Sequence, residues 1–404
     1  GLNKYIMKVL LVNKFLYPRG GDCIYTLNLG RLLRKAGHCV QFYAMAYPEN
    51  LQDENEACFA EEVSFSSISL SGKIKAARRI LWGTGVRSGF EKILDSFQPD
   101  IVHLNNIHSY LSPVVARLAH QRGIKVVWTL HDYKLLCPSY NCLCRGEICE
   151  MCFTCKTNVL FRKCMKNNVQ ASVLAMTEAM RWNREKLSGW TDTFICPSHF
   201  LAKKMKEGGY AEDKLQVIPN FIGEEQSKYI LDITDNEREN AYAYIGRLSK
   251  EKGVEGLLEA AARLPYKLYV VGSGPAEKEL MKKYAADTII FLGHQTTKGV
   301  MEILKKVSFT VLPSIWYENN PLGIIESLCC GTPVLGRNIG GIPELLETEN
   351  CNQLFRKDEE LTERIVEMFS MSAATDRNML STSSLQRFSG EQYYQMWLRV
   401  VERK

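Results

Sequence analysis

Short apolar runs alternate with longer stretches whose apolar positions recur every three or four residues. Lys8 to Val12 is a leucine and β-branched run. After Gly20-Gly21, Leu27, Leu29, Leu32 and Leu33 fall at helical spacing, Gly37 follows Arg34-Lys35 as a stop, and Val40 to Ala44 resumes a strand. The unit recurs: "DIVHLNN" and "KVVWTLHD" flank "SYLSPVVARLAHQRGI", and "DTFICPS" precedes "HFLAKKMKEGGY". A second series starts after Pro219-Asn220, with strands "AYAYIGRL", "KLYVVGSG", "TIIFLG", "FTVLPS" and "PVLGRN" separated by helices such as "GVEGLLEAAARL" and "PLGIIESLCCG". Strands alternating with helices predict parallel sheets with right-handed crossovers, hence two doubly wound α/β domains at 1–215 and 220–385. "GEQYYQMWLRVVERK" adds a closing helix within 386–404 that can return to the first domain.

Composition changes this picture little. The 404 residues, 46% hydrophobic and 24% charged, exclude disordered and fibrous classes and suit two domains. No apolar window approaches the about 18 residues of a membrane span, and the run beginning at Met7 is too short for a secretory core. Residues 1–6 are either a foreign leader or a native start. Without an export signal, fourteen cysteines point to reduced thiols or metal ligands and to the cytoplasm. Charge is uneven: 29 basic against 19 acidic side chains up to Leu215, and 22 against 26 beyond. A basic first half suits phosphates or an anionic membrane as well as a plain solvated surface. "SGKIKAARRILWG" fits the membrane reading through Lys73, Lys75, Arg78 and Arg79 beside Ile74, Ile80, Leu81 and Trp82, though an ordinary surface helix reads the same way. No nucleic-acid module is present.

In open parallel sheets ligands bind beyond the carboxyl ends of the strands. Gly20-Gly21 there can bring bare backbone N–H groups to an anion. Arg247 and Lys252, five residues apart in a strand-to-helix loop, are two cations suited to a diphosphate. Glu318 lies in a loop and Glu326 eight residues later in an apolar helix, where a ribose diol is a suitable donor pair for its carboxylate. Between them Asn319, Asn320, Pro321, Leu322 and Gly323 present backbone donors at a helix N-terminus, and Gly340-Gly341 follows the next strand. His131 ends a first-domain strand, and His103 and His108 are candidates for an acceptor side. No Asp-x-Asp pair for a metal-bound diphosphate occurs.

Seven cysteines crowd 137–164. Cys149, Cys152, Cys155 and Cys164 offer thiolates for a structural zinc, with metal-free thiols an equal reading and disulfides or an iron–sulfur cluster the remainder. Cys329-Cys330 reads as buried core.

The E-x7-E spacing of Glu318 and Glu326, with "GRLSKEKGV", "VVGSGP", "FLGH" and "NIGGIPELL" in that order, resembles the retaining glycosyltransferases of family 4, the glycosyl transferases group 1. Gly20-Gly21, His131-Asp132, "PSHF" and "VIPNF" extend the resemblance over nearly the whole chain. It implies a GT-B fold, two Rossmann-like domains facing an interdomain cleft, and metal-independent transfer of a hexosyl or N-acetylhexosaminyl group from a nucleotide-sugar to a glycan or lipid-linked acceptor in surface polysaccharide or glycoconjugate synthesis. In that reading Arg247 and Lys252 hold the diphosphate with the backbone of Pro321-Leu322 and Gly20-Gly21, Glu326 takes the ribose, and Glu318 and His131 face the donor sugar. The base lies by Gly293-His294, and Gly246, Gly272, Asn320 and Gly323 complete the donor site. No catalytic cofactor is implied. Alternatives are a sugar-nucleotide epimerase or hydrolase on the same fold, or an inactive binding subunit of a glycan assembly complex.

Overall fold

Two six-stranded parallel sheets, each in its own unit, organise the computed structural model, which describes residues 5–403, so the origin of residues 1–6 falls largely outside it. One unit runs to Ile218 and regains the chain at Tyr394; the other consists of Pro219–Tyr393 with Gly146–Ile148.

The first unit holds β1 (Lys8–Val12), β2 (Cys39–Tyr43), β3 (Ile101–Leu104), β4 (Lys125–Thr129), β5 (Thr193–Cys196) and β6 (Leu215–Val217), in the order β2-β1-β3-β4-β5-β6. The order reverses between β1 and β3, leaving a crevice at their carboxyl ends where helix α1 (Gly21–Lys35) begins. Leu10, Val102, Val127 and Ile195 are fully buried, as expected of strands covered on both faces.

Helix α2 (Leu70–Trp82) corrects one reading of the basic segment. Arg79 is not on its exposed face: its side chain is fully buried and donates to the carbonyls of Thr84, Tyr110 and Glu61. Ile80 is buried too, while Leu70, Ile74 and Trp82 stay exposed beside Lys73, Lys75 and Arg78.

In the second unit β7 (Ala241–Ile245), β8 (Lys267–Val271), β9 (Ile289–Gly293), β10 (Phe309–Leu312), β11 (Val334–Arg337) and β12 (Gln353–Phe355) pair in the order β9-β8-β7-β10-β11-β12. The switch point lies between β7 and β10. Helices α3 (Val254–Ala261) and α4 (Leu322–Cys329) follow the loops at the carboxyl ends of those strands, and Cys329 and Cys330, at the end of α4, are buried. Among the described residues no helix is long and apolar enough to cross a membrane.

The C-terminal helix α5 (Gly390–Val401) sends Tyr394 and Trp397 into the first unit. The Met7 amide donates to His38 Nδ1 at 3.1 Å, which leaves the proton on Nε2 to meet the Tyr394 hydroxyl at 2.7 Å. The Trp397 indole donates to His103 Nδ1 at 3.1 Å, and the rings stack at 9°. His103 Nε2 therefore donates to Thr129 Oγ1, 2.8 Å away.

Candidate functional site

Six residues of the second unit, Gly246, Lys252, Glu318, Pro321, Leu322 and Gly323, line one cavity of about 200 Å³. It sits where the loops after β7 and β10 meet the start of α4. Lys252 closes a single 3-10 turn before α3, and its Nζ lies 2.6 Å from Glu318 Oε1. The same oxygen accepts from Ser314 Oγ at 2.6 Å and Trp316 Nε1 at 2.9 Å, and the ammonium also lies 5.1 Å over the Trp316 ring. Burial alone would push the Glu318 carboxyl up; Lys252 and the two hydrogen bonds outweigh it and hold it below the usual range. Glu318 is thus a fixed anion, 7% exposed, with Lys252, Ser314 and Trp316 all meeting its Oε1.

Glycine spacing keeps that loop in place. The Gly341 amide donates to the Glu318 carbonyl at 2.7 Å, and a Cβ on Gly341 would stand 1.7 Å from the Asn319 oxygen. Only hydrogen fits there. On the other side Gly272, at φ +128, packs against the Gly246 carbonyl and donates to the Gly293 carbonyl at 2.9 Å, so three strand-end loops are tied in a row.

Other sequence-singled residues of this unit stand around the cavity in different states. Arg247 is exposed, its carbonyl held by the Tyr244 hydroxyl at 2.7 Å. His294 is exposed just past Gly293. Asn320 is buried and clasped with Asn220, whose amide donates to Oδ1 at 2.9 Å; its own Nδ2 has no partner. Glu326 lies a turn inside α4 with Gln226 Nε2 at 3.3 Å from Oε1, and burial pushes its carboxyl up to about 7.

The first unit gathers a second polar group at its own strand ends. Asn105 Nδ2 donates to the Val12 carbonyl at 3.3 Å, so its Oδ1 is free to accept from His131 Nε2 at 2.8 Å. Desolvation lowers His131 to about 4, opposed by Asp22 and reinforced by Lys14. His131 is therefore neutral near pH 7, with Nδ1 unprotonated. Asp22, in the first turn of α1 beside Gly20-Gly21, is held below the carboxylate range: its burial is outweighed by Lys14, His131 and Asn13. A Cβ on Gly21 would meet nothing within 4 Å, leaving that backbone open.

Sequence reasoning missed Asp22, Lys14, Ser314, Trp316 and Gln226. Ser314 and Trp316 had a weak signal, since both lie within four residues of Glu318 in "SIWYENN". His103 is fully buried between Trp397 and Thr129 and so faces no open site, whereas His108 is half-buried and stacks on Trp128 at 5.6 Å; desolvation lowers both to about 3.

Among the described residues no group of three or more His, Cys, Asp or Glu is placed to hold a metal. Of Cys149, Cys152, Cys155 and Cys164, Cys155 is exposed with its sulfur 3.0 Å from Thr157 Oγ1, and Cys164 turns toward Cys144. Cys152 is buried in the middle of the 3-10 turn Met151–Phe153, while Cys155, two residues beyond that turn, is exposed.

Residues 19–226 match the model for Glycosyltransferase Family 4, and 226–384 match that for Glycosyl transferases group 1. A 42.6 kDa protein of the cps region of Klebsiella pneumoniae is 27% identical over 84% of this chain and 87% of its own length. N-acetyl-alpha-D-glucosaminyl L-malate synthase of Bacillus anthracis is 24% identical over 82% and 79%. In fold, sucrose-phosphate synthase from Thermosynechococcus elongatus superposes with a TM-score of 0.67 at 17% identity, covering 98% of this chain and 99% of that one. Anabaena HepE in complex with UDP-glucose gives 0.65 at 16% identity, covering 98% and 100%.

Proposed function

The chain belongs to glycosyltransferase family 4, and from that premise we propose that it is a retaining enzyme that moves a hexosyl or N-acetylhexosaminyl group from a nucleotide-sugar to a glycan or lipid-linked acceptor. The observation that carries this reading is the cavity shared by Lys252, Glu318 and the start of α4. Breaking a sugar–phosphate bond leaves negative charge on the diphosphate and positive charge on the sugar, so preorganised cations and N–H groups on one side and an anion on the other are what the step needs. Lys252, Arg247 and the amides of Leu322 and Gly323 supply the first. Glu318, anchored through Oε1, supplies the second. Gly246, Gly272, Gly293 and His294 shape the side for the base, Asn320 and Pro321 the turn under the diphosphate, and His131 with Gly20-Gly21 the first unit's contribution. These protein groups meet the leaving diphosphate's charge, and we read the reaction as needing no metal.

The cps-region relative supports a role in surface polysaccharide or glycoconjugate synthesis. Exposed Leu70, Ile74 and Trp82 beside Lys73, Lys75 and Arg78 support contact with an anionic membrane surface, without Arg79. An epimerase or hydrolase is disfavoured by a relative named as a synthase of N-acetyl-alpha-D-glucosaminyl L-malate. A thermal-shift screen of nucleotide-sugars tests the reading: a donor should raise the melting temperature with concentration as ln(1 + [L]/Kd), and no response to any nucleotide-sugar would count against it.

Glu326 makes donor binding proton-linked. With its carboxyl raised to about 7 the free protein carries it largely protonated at pH 6.5, whereas a ribose diol donating to it favours the carboxylate. Binding should therefore release a proton below pH 7, and affinity should rise as pH climbs through 7 and then level off. Calorimetry at pH 6.5 in buffers of different ionisation enthalpy should show that release in the native protein and none in Glu326→Gln. Equal release in both would assign the proton elsewhere.

A further inference from the structure

Three strand-end loops of the first unit, after β1, β2 and β3, bring together aromatic rings that the donor chemistry does not use. Phe15, 1% exposed, is the floor. Around it stand Tyr17, Tyr47 and Tyr110, all half-buried, with ring centroids 5.8, 4.9 and 5.0 Å from its own. Tyr17 and Tyr47 stack on each other at 5.7 Å and 12°, so two rings present parallel faces.

The loops are stapled. The Lys14 amide donates to the Asn106 carbonyl at 2.9 Å, the Met45 amide to the Lys14 carbonyl at 3.0 Å, and the Leu16 amide to Asn50 Oδ1 at 3.0 Å. Rings held this way lose little entropy on meeting a ligand, which favours binding. Position points the same way, since the cluster lies at the carboxyl ends flanking the β1/β3 switch point, where open sheets take ligands. Lys14 joins it to the polar group: its Nζ is 6.0 Å over the Tyr110 ring, and its charge acts on both Asp22 and His131.

We propose that Tyr17, Tyr47 and Tyr110 form a platform for the pyranose rings of a saccharide acceptor, whose terminal hydroxyl is directed toward the Lys14, Asp22 and His131 group. A pyranose has an apolar C–H face and a rim of hydroxyls. Rigid phenol rings match the face, and their hydroxyls with the neighbouring Lys14 match the rim. The acceptor is accordingly a glycan of two or more sugars rather than a small hydroxy acid or a bare lipid. This rests on the transferase reading above and adds the acceptor's class to it.

The test is a microarray of oligosaccharides of two to six pyranoses, with hits measured by calorimetry against the native protein, Tyr17→Leu, Tyr47→Leu and Tyr47→Phe. UDP affinity is measured on each as a check that the second unit is intact. Glycan affinity should fall at least tenfold in both leucine variants and stay within threefold in Tyr47→Phe, with UDP affinity unchanged throughout. No glycan bound by the native protein, equal glycan affinity in the leucine variants, or equal loss in the phenylalanine one would overturn the platform. Turnover with L-malate and with none of the glycans would also overturn it while leaving the transferase reading standing, whereas failure of every nucleotide-sugar to bind would remove the transferase reading itself. A gain of affinity for phosphatidylglycerol vesicles over glycans, lost in the leucine variants, would assign the rings to a membrane instead.

Discussion

Glu318→Gln should lower turnover by about 10²–10³-fold and leave nucleoside diphosphate affinity within about threefold, because the amide keeps the shape of the site and an acceptor for Lys252 while removing the charge that faces the sugar. Lys252→Ala should behave differently. Removing the ammonium takes a cation from the diphosphate and leaves Glu318 a buried anion without its ion-pair partner, 2.6 Å away in the native protein. Nucleoside diphosphate binding should weaken by about 1.5–3 kcal/mol, the scale of a charge-assisted hydrogen bond, and turnover should fall as well. Leaving the buried Glu318 carboxylate without its cation also costs stability, so Lys252→Ala should melt earlier than Glu318→Gln. Single-turnover kinetics beside calorimetry separates the cases. A Glu318→Gln enzyme that keeps its rate, or loses nucleotide affinity as Lys252→Ala does, would reverse the two assignments.

Trp397→Ala should be among the most destabilising single changes in the first unit, costing about 3–5 kcal/mol. The side chain is fully buried, stacks on His103 and supplies the donor to His103 Nδ1. Trp397→Phe keeps most of the volume but leaves that nitrogen without its donor, and should cost about 1–3 kcal/mol. Urea unfolding followed by circular dichroism measures both. A Trp397→Ala protein as stable as the native one would mean that α5 contributes no packing to the first unit.

These two cases also mark how far the sequence could be read. Buried parallel strands announce themselves as apolar runs such as "KLYVV", and the helices between them by spacing, so both sheets were legible. So was the pairing of Glu318 with a following helix. That Lys252, 66 positions earlier, ends on Glu318 Oε1 was not, because it depends on how the β7 and β10 loops close over one another in three dimensions. The same limit hid Asp22 beside His131 and the place of Trp397, which reaches His103 from 294 residues away. Arg79 shows the opposite failure. Its spacing with Lys75 and Arg78 read as a solvated basic face, but three backbone carbonyls from separate loops offered it a buried seat that outweighed solvation. Nor did the x2 spacing show that Cys152 is buried while Cys155 is exposed, since that depends on how the chain turns between them.

The central claim is transfer with retention. Its direct test is product analysis with a donor selected by thermal shift, labelled with carbon-13 at the anomeric carbon, incubated with an oligosaccharide acceptor in EDTA without added magnesium or manganese. The account predicts that the label appears in a glycoside bond to the acceptor, with the donor's anomeric configuration in the proton coupling constant and a rate undiminished by chelation. Label found only in free sugar or in an altered nucleotide-sugar, an inverted anomeric centre, or a rate restored only by magnesium or manganese would contradict it.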